Sequence, residues 1–226
     1  MPHIIACSKQ WCDNLANELN SETQEKFISI RNKKKLNIKN IAKSNPKYIF
    51  FPHWSNIIPK DIYNNYNCII FHMTDLPYGR GGSPLQNLIV RGHDRTMISA
   101  IKCTEEIDAG PVYLKKELSL AGSAKDIFLR ANHIIKEMIL EILLNNPTPK
   151  GQKGKVVKFK RRNAEDGNLK YAKNLNEIYN YIRMLDADGY PHSFISHGNY
   201  LYEFSDASIV NNEIIAKVKI KRQKND

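Results

Sequence analysis

Tyr48-Ile49-Phe50-Phe51-Pro52 and Asn67-Cys68-Ile69-Ile70-Phe71-His72 are two short, almost unbroken apolar runs, and their reading decides the fold. A strand wetted on one face alternates apolar and polar side chains, whereas a strand covered on both faces stays apolar throughout, as in a parallel sheet under helices. Working outward, residues 3–7 (HIIAC) and 27–31 (FISIR) read as two further strands of this kind. Between them Leu15, Ala16 and Leu19 fall at helical spacing within residues 13–26, and residues 36–43 read as a second short helix. Strands alternating with helices predict an α/β domain with a mostly parallel sheet.

The clearest helix covers residues 123–145. Ser123 and Asp126 suit its N-cap, and Ile127, Phe128, Ala131, Ile134, Ile135, Met138, Ile139 and Ile142 form its buried face. Pro147-Thr148-Pro149-Lys150-Gly151 then breaks the pattern, which predicts a first domain over residues 1–149 and a small second one over 150–226. The second unit offers a helix over 175–185 and strands over 200–204 and 214–220, so it is expected to be mainly β. Its basic tail covers residues 217–224.

With 226 residues, 42% of them hydrophobic, the chain can bury a substantial core, which excludes disorder, collagen and coiled coil. No apolar run approaches the roughly 20 residues of a membrane-spanning helix, and Met1-Pro2-His3-Ile4-Ile5 opens like a strand, so a cytoplasmic protein without membrane association is expected. Cys7, Cys12, Cys68 and Cys103 show no CxxC pairing; reduced, structural cysteines and no metal site are expected. A formal net charge of +11 suits an anionic partner such as nucleic acid, nucleotide or a polyglutamylated cofactor. The Lys, Ile and Asn codons of an AT-rich genome account for that excess equally well.

In open α/β sheets ligands gather at the carboxyl ends of strands. The segment His72-Met73-Thr74-Asp75-Leu76-Pro77-Tyr78-Gly79-Arg80-Gly81-Gly82-Ser83-Pro84 leaves such an end, and a histidine there is placed for acid–base work. A strand-capping histidine followed by a plain glycine turn accounts for the same residues. Glu105-Glu106-Ile107-Asp108-Ala109-Gly110-Pro111 sets an aspartate in a tight loop before another strand candidate at 112–114. An Asp that orients a His and stabilises its cation makes a base, although a solvated turn aspartate is the simpler account of the loop alone.

The first loop matches H-x-[ST]-x-L-P-x-x-R-G-x-x-P, and IDAGP resembles a second motif, D-x-G-x, of the formyltransferase family that uses 10-formyltetrahydrofolate. Phe51-Pro52-His53-Trp54-Ser55-Asn56-Ile57-Ile58-Pro59 is similar to that family's pterin-pocket segment. The resemblance covers residues 48–111 and, more loosely, 158–204, where a small C-terminal domain of several such enzymes is matched. It implies a Rossmann-like formyltransferase fold, an enzyme transferring a formyl group to an amine, and 10-formyltetrahydrofolate as co-substrate. One departure stands out. Two residues before the histidine the family has an Asn whose amide meets the formyl oxygen; this chain has Ile70.

Carried over residue by residue, the resemblance implies His72 as the proton-handling group and Asp108 as the residue that orients it. Thr74 is the nearest candidate for the missing oxyanion donor, with Asn87 and a protonated His72 as the others. Trp54, Ser55 and Asn56, with Cys103 to Ile107, are implied for the pterin. Asp75 and Arg80 are candidates for the acceptor, against turn-capping and loop-packing roles. The short chain, its reduced C-terminal unit and the short connection after the second strand favour a nucleotide-linked amino sugar of polysaccharide biosynthesis as acceptor. Methionyl-tRNA is the alternative, supported by net charge, and a catalytically weak nucleic-acid-binding relative is a further one. A homodimer is compatible with all three.

Overall fold

The computed structural model describes residues 1–223, so Lys224 of the basic tail lies outside the described residues. Its main sheet has six strands: β1 (His3–Ala6), β2 (Phe27–Ile30), β3 (Ile49–Pro52), β4 (Cys68–His72), β6 (Arg95–Lys102) and β7 (Val112–Ser119), in the order β2-β1-β3-β4-β6-β7. β1 pairs in parallel with β2 and β3, and β3 with β4; β4 and β6 run antiparallel. The connections carry α1 (Leu15–Glu22), α2 (Ile38–Ser44), α3 (Lys60–Asn65), α4 (Pro84–Val90) and α5 (Ala124–Asn145). The unbroken apolar runs match this placement: β1 and β3 are buried at every position, as strands covered on both faces are.

The core is built where these strands converge. Ile4, Ile49, Phe51 and Cys68 from the sheet pack with Ile41, Ile62 and Cys103, and the half-buried Ile70 and Trp54 close over them. α5 starts where the sequence places it. The Ser123 amide donates to Asp126 Oδ2 at 2.9 Å, while the Asp126 amide donates to Ser123 Oγ at 3.2 Å, a reciprocal cap.

The chain divides into two compact units that interleave along the sequence: residues 1–81, 96–118 and 129–158 in one, and 82–95, 119–128 and 159–226 in the other. The second unit holds α4, α6 (Leu175–Arg183) and an antiparallel sheet of β9 (Ser193–His197), β10 (Tyr200–Val210) and β11 (Glu213–Arg222). A two-stranded ribbon pairs β5 (Tyr78–Gly81) with β8 (Val157–Phe159). Among the described residues no helix is long and apolar enough to cross a membrane.

Two features differ from the sequence reading. The strand β6, next to β4 in the sheet, has no counterpart in the sequence reading, nor do α3, α4, β5, β8 and β9. Cys7 and Cys12, expected to be reduced, are joined as a disulfide, because the single 3-10 turn Gln10–Cys12 folds back and brings their Cα atoms to 6.6 Å. Cys68 and Cys103 are free and buried.

Candidate active site

β4 ends at His72, and the chain then turns through Met73-Thr74-Asp75-Leu76-Pro77 into β5. Ser99, opposite His72 in register, holds this turn: its hydroxyl donates to the Thr74 carbonyl at 2.7 Å and accepts from the Leu76 amide at 3.4 Å. The turn brings Gly79 back over the histidine, whose Nε2 lies 2.8 Å from the Gly79 carbonyl oxygen. A carbonyl only accepts, so Nε2 carries a proton and Nδ1 is the remaining nitrogen.

Nδ1 faces Asp108 Oδ2 at 3.5 Å, with both side chains about nine-tenths buried (8% and 11% exposed). Their meeting is not a simple juxtaposition of two strand ends. Cys103 pairs backbone with Cys68, at the opposite end of β4 from His72, so the loop that follows β6 must travel back along the strand to deliver Asp108. Asp108 adopts a left-handed backbone, φ 55°, which a non-glycine residue holds only where its surroundings insist. The surroundings do insist. Gly81 N–H donates to Asp108 Oδ2 at 2.9 Å, and the Gln152 side-chain amide donates to the carbonyls of Asp108 (2.8 Å) and Gly110 (2.9 Å). Gly110 is dictated by space, since a Cβ there would sit 1.8 Å from the Lys102 carbonyl oxygen.

The other residues singled out from sequence separate into those near this pair and those occupied elsewhere. Thr74 is fully buried and its hydroxyl is directed at the Gly79 carbonyl, 3.5 Å away, where it braces the turn. The Asn87 amide donates to the carbonyls of Gly82, Ser83 and Lys160. Both candidate oxyanion donors thus have carbonyl partners within the protein, and Ile70 packs against the apolar cluster. Arg80, expected at the acceptor, directs Nε and Nη2 to Gln152 Oε1 (3.1 and 2.8 Å) and Nη1 to Glu106 (3.1 Å), the loop-packing arrangement. Asp75 is exposed and ion-paired with Lys115.

At the implied pterin segment Ser55 and Asn56 are exposed, and Trp54 sets its ring edge-on to Phe51 at 5.9 Å. Its indole Nε1 is buried with no hydrogen-bond partner. The neighbouring His53 is held far below its ordinary value, at about 3, by burial and then by the charge of Lys9. Across the loop Ile107 is exposed, whereas Cys103 is buried and its thiol is pushed up to about 11, by burial first and the Asp108 carboxylate second. Cys103 therefore stays a neutral thiol and contributes wall, not nucleophile. Sequence reasoning missed Gln152 and the backbone groups of Gly79 and Gly81; the glycines lay inside a recognised motif, but nothing local marks Gln152.

Among the described residues no cluster of His, Cys, Asp and Glu is arranged to hold a metal ion. A histidine and an aspartate, buried together and delivered by these two loops, face each other beside an α/β sheet. Residues 7–128 match the family model described as formyl transferase, and the chain belongs to that family. Residues 164–221 match a second model, the C-terminal domain of methionyl-tRNA formyltransferase.

Among solved structures, "Methionyl-tRNA formyltransferase from Clostridium thermocellum" is 48% identical, with a TM-score of 0.95 over 98% of this chain and 99% of that one. A methionyl-tRNA formyltransferase of Thermodesulfovibrio yellowstonii is 27% identical over 154 residues, 65% of this chain and 50% of the relative, so the chain spans about half that protein's length. A sugar N-formyltransferase from Shewanella shares the fold alone, at 16% identity and a TM-score of 0.67 over 96% of each chain. These findings overturn the amino sugar as expected acceptor, and with it polysaccharide biosynthesis. The shortness that favoured a sugar does not discriminate, because the Clostridium thermocellum chain is matched over its whole length and carries the methionyl-tRNA name.

Proposed function

We propose that the protein transfers the formyl group of 10-formyltetrahydrofolate to the amine of methionyl-tRNA, acting in the cytoplasm. The observation that carries the chemistry is the buried His72–Asp108 pair held between two family motifs. The acceptor rests on the 48% identity to the Clostridium thermocellum chain and on the C-terminal family match. Exposed Lys153, Lys155, Lys158 and Lys160, and Lys219 on β11, supply cations that complement RNA phosphates.

In this reading the acceptor amine attacks the formyl carbon, the new amide C–N bond forms, and the bond from that carbon to N10 of the folate breaks. His72 Nδ1 takes the proton that the amine loses, and Asp108 stabilises the imidazolium so formed. N10 leaves with a proton returned from the same ring, so protons balance and the site resets. Charge developing on the formyl oxygen is stabilised by the field of the nearby imidazolium, whose two N–H groups are themselves held by the Gly79 carbonyl and Asp108. Trp54 Nε1 and the backbone at Ser55 and Asn56 hold the pterin.

The test is direct. Purified protein, 10-formyltetrahydrofolate and methionyl-tRNA should yield N-formylmethionyl-tRNA, read by mass spectrometry of the released aminoacyl group, with free methionine as control acceptor. Folate-analogue binding without transfer to methionyl-tRNA would remove the acceptor. The absent amide at Ile70 favours one second reading, a catalytically weak relative that binds RNA; salt-steep RNA binding without folate affinity would establish it.

A further inference from the structure

Gln152 lies outside every motif recognised in the sequence, in the irregular stretch that follows α5, yet it is the most completely engaged side chain around the acid–base pair. Its amide nitrogen donates to the carbonyls of Asp108 and Gly110, and its oxygen accepts both Nε and Nη2 of Arg80. The glutamine is itself pinned. Two residues earlier, Lys150 and Val112 exchange backbone hydrogen bonds in both directions, at 2.7 and 2.9 Å. Arg80 in turn reaches Glu106 at the other side of the same loop.

We propose that Gln152 is the positioning residue of the site: it clamps the Asp108–Gly110 turn in its left-handed form and so aims the carboxylate at His72. The proposal rests on the formyl transfer proposed above. Its logic is geometric. Asp108 stands at φ 55°, a conformation its own backbone disfavours, and the side chain of Gln152 bonds the carbonyls on either side of Ala109. Gly110 cannot yield toward β6, since any side chain there strikes the Lys102 carbonyl. Relaxation of the turn must therefore move Asp108, whose carboxylate would then be held by the Gly81 amide and His72 alone among the described residues. Gln152 touches no reacting atom; it acts through Asp108.

Gln152→Ala removes both halves of the clamp, whereas Gln152→Glu keeps the acceptor for Arg80 and sets an anion against two carbonyls. Both should lower kcat by about 10-fold or more with little change in KM for 10-formyltetrahydrofolate, as a displaced reacting group does. In an Asp108→Asn background Gln152→Ala should cost nothing further, because the residue it serves is already disabled. Amide hydrogen exchange of the substrate-free protein should quicken in residues 106–110 and stay unchanged in β1 and β3. Wild-type kcat in both variants, a full additional loss in the Asp108→Asn background, or exchange unchanged in residues 106–110 would each overturn the assignment. If the wild type itself transfers no formyl group, the proposed function falls, while the exchange measurement still reads the clamp.

Discussion

The carbonyl oxygen of Gly79 stands 2.8 Å from His72 Nε2, and this one hydrogen bond decides which nitrogen of the ring can work. With Nε2 committed as a donor, Nδ1 is the nitrogen that faces Asp108. His72→Asn and Asp108→Asn should each reduce formyl transfer by at least about 10²-fold while circular dichroism and Tm stay near wild type. Near-normal turnover in either variant removes that residue from the chemistry.

Ile70 and Thr74 make opposite predictions. Ile70→Asn puts an amide where the family has one and should raise kcat, by up to about 10²-fold for a well-placed donor, at some loss of Tm because a polar group enters the apolar cluster around Phe51 and Cys103. Thr74→Val removes only the buried bond to the Gly79 carbonyl and should cost about 1 kcal/mol of stability with kcat little changed. Steady-state kinetics beside thermal melts separates the two; a large kcat loss in Thr74→Val would return its hydroxyl to the reaction.

For Trp54 the informative change is to Phe. The ring edge on Phe51 survives and only the unpartnered Nε1 is lost, so affinity for a folate analogue should fall about 10-fold, the worth of one buried hydrogen bond, with Tm nearly kept. Trp54→Ala would confuse binding with a cavity costing about 3 kcal/mol. Calorimetric titration giving equal folate affinity for Trp54→Phe and wild type would assign the indole to the core alone.

Acid stability should report on His53. Its folded-state value, about 3, lies below the ordinary 6.5, so between these limits the unfolded chain binds a proton that the folded chain refuses. The stabilisation is complete above about pH 6.5 and is lost as pH falls toward 3. His3, lowered in the same direction chiefly by burial, adds to the trend. His53→Asn suits the left-handed backbone at φ 47° and should flatten the decline measured by urea unfolding at pH 7, 5 and 4. An unchanged slope would show that His53 titrates normally.

Much of this architecture was legible because burial on both faces writes itself directly into sequence: residues 48–52 and 67–72 have no other reading, and β3 and β4 lie there within one residue. β6 was not read, although it is the neighbour of β4. Its Arg, Thr, Ser and Lys positions interrupt the apolar run, and Ser99 is buried for its hydroxyl, which bonds the Thr74 carbonyl, a partner no local pattern displays. His72 and Asp108 were legible through motifs. Their pairing was legible too, but not the path that brings them together, because the antiparallel strand β6 makes the loop retrace the length of β4. Gln152 was invisible for a simpler reason, since its partners lie more than forty residues away.

Composition invites an experimenter to trim the chain near Pro149. The hydrogen bonds advise against it. Gln152, the Lys150 backbone that pairs with Val112, and β8 under β5 all come after that point, although they belong to the same compact unit as His72 and Asp108. A fragment ending at residue 149 would keep both loops that carry His72 and Asp108 and lose the Gln152 and Lys150 hydrogen bonds that hold the second of them. Shortened versions intended for crystallisation or engineering should extend at least through Phe159, the buried last residue of β8.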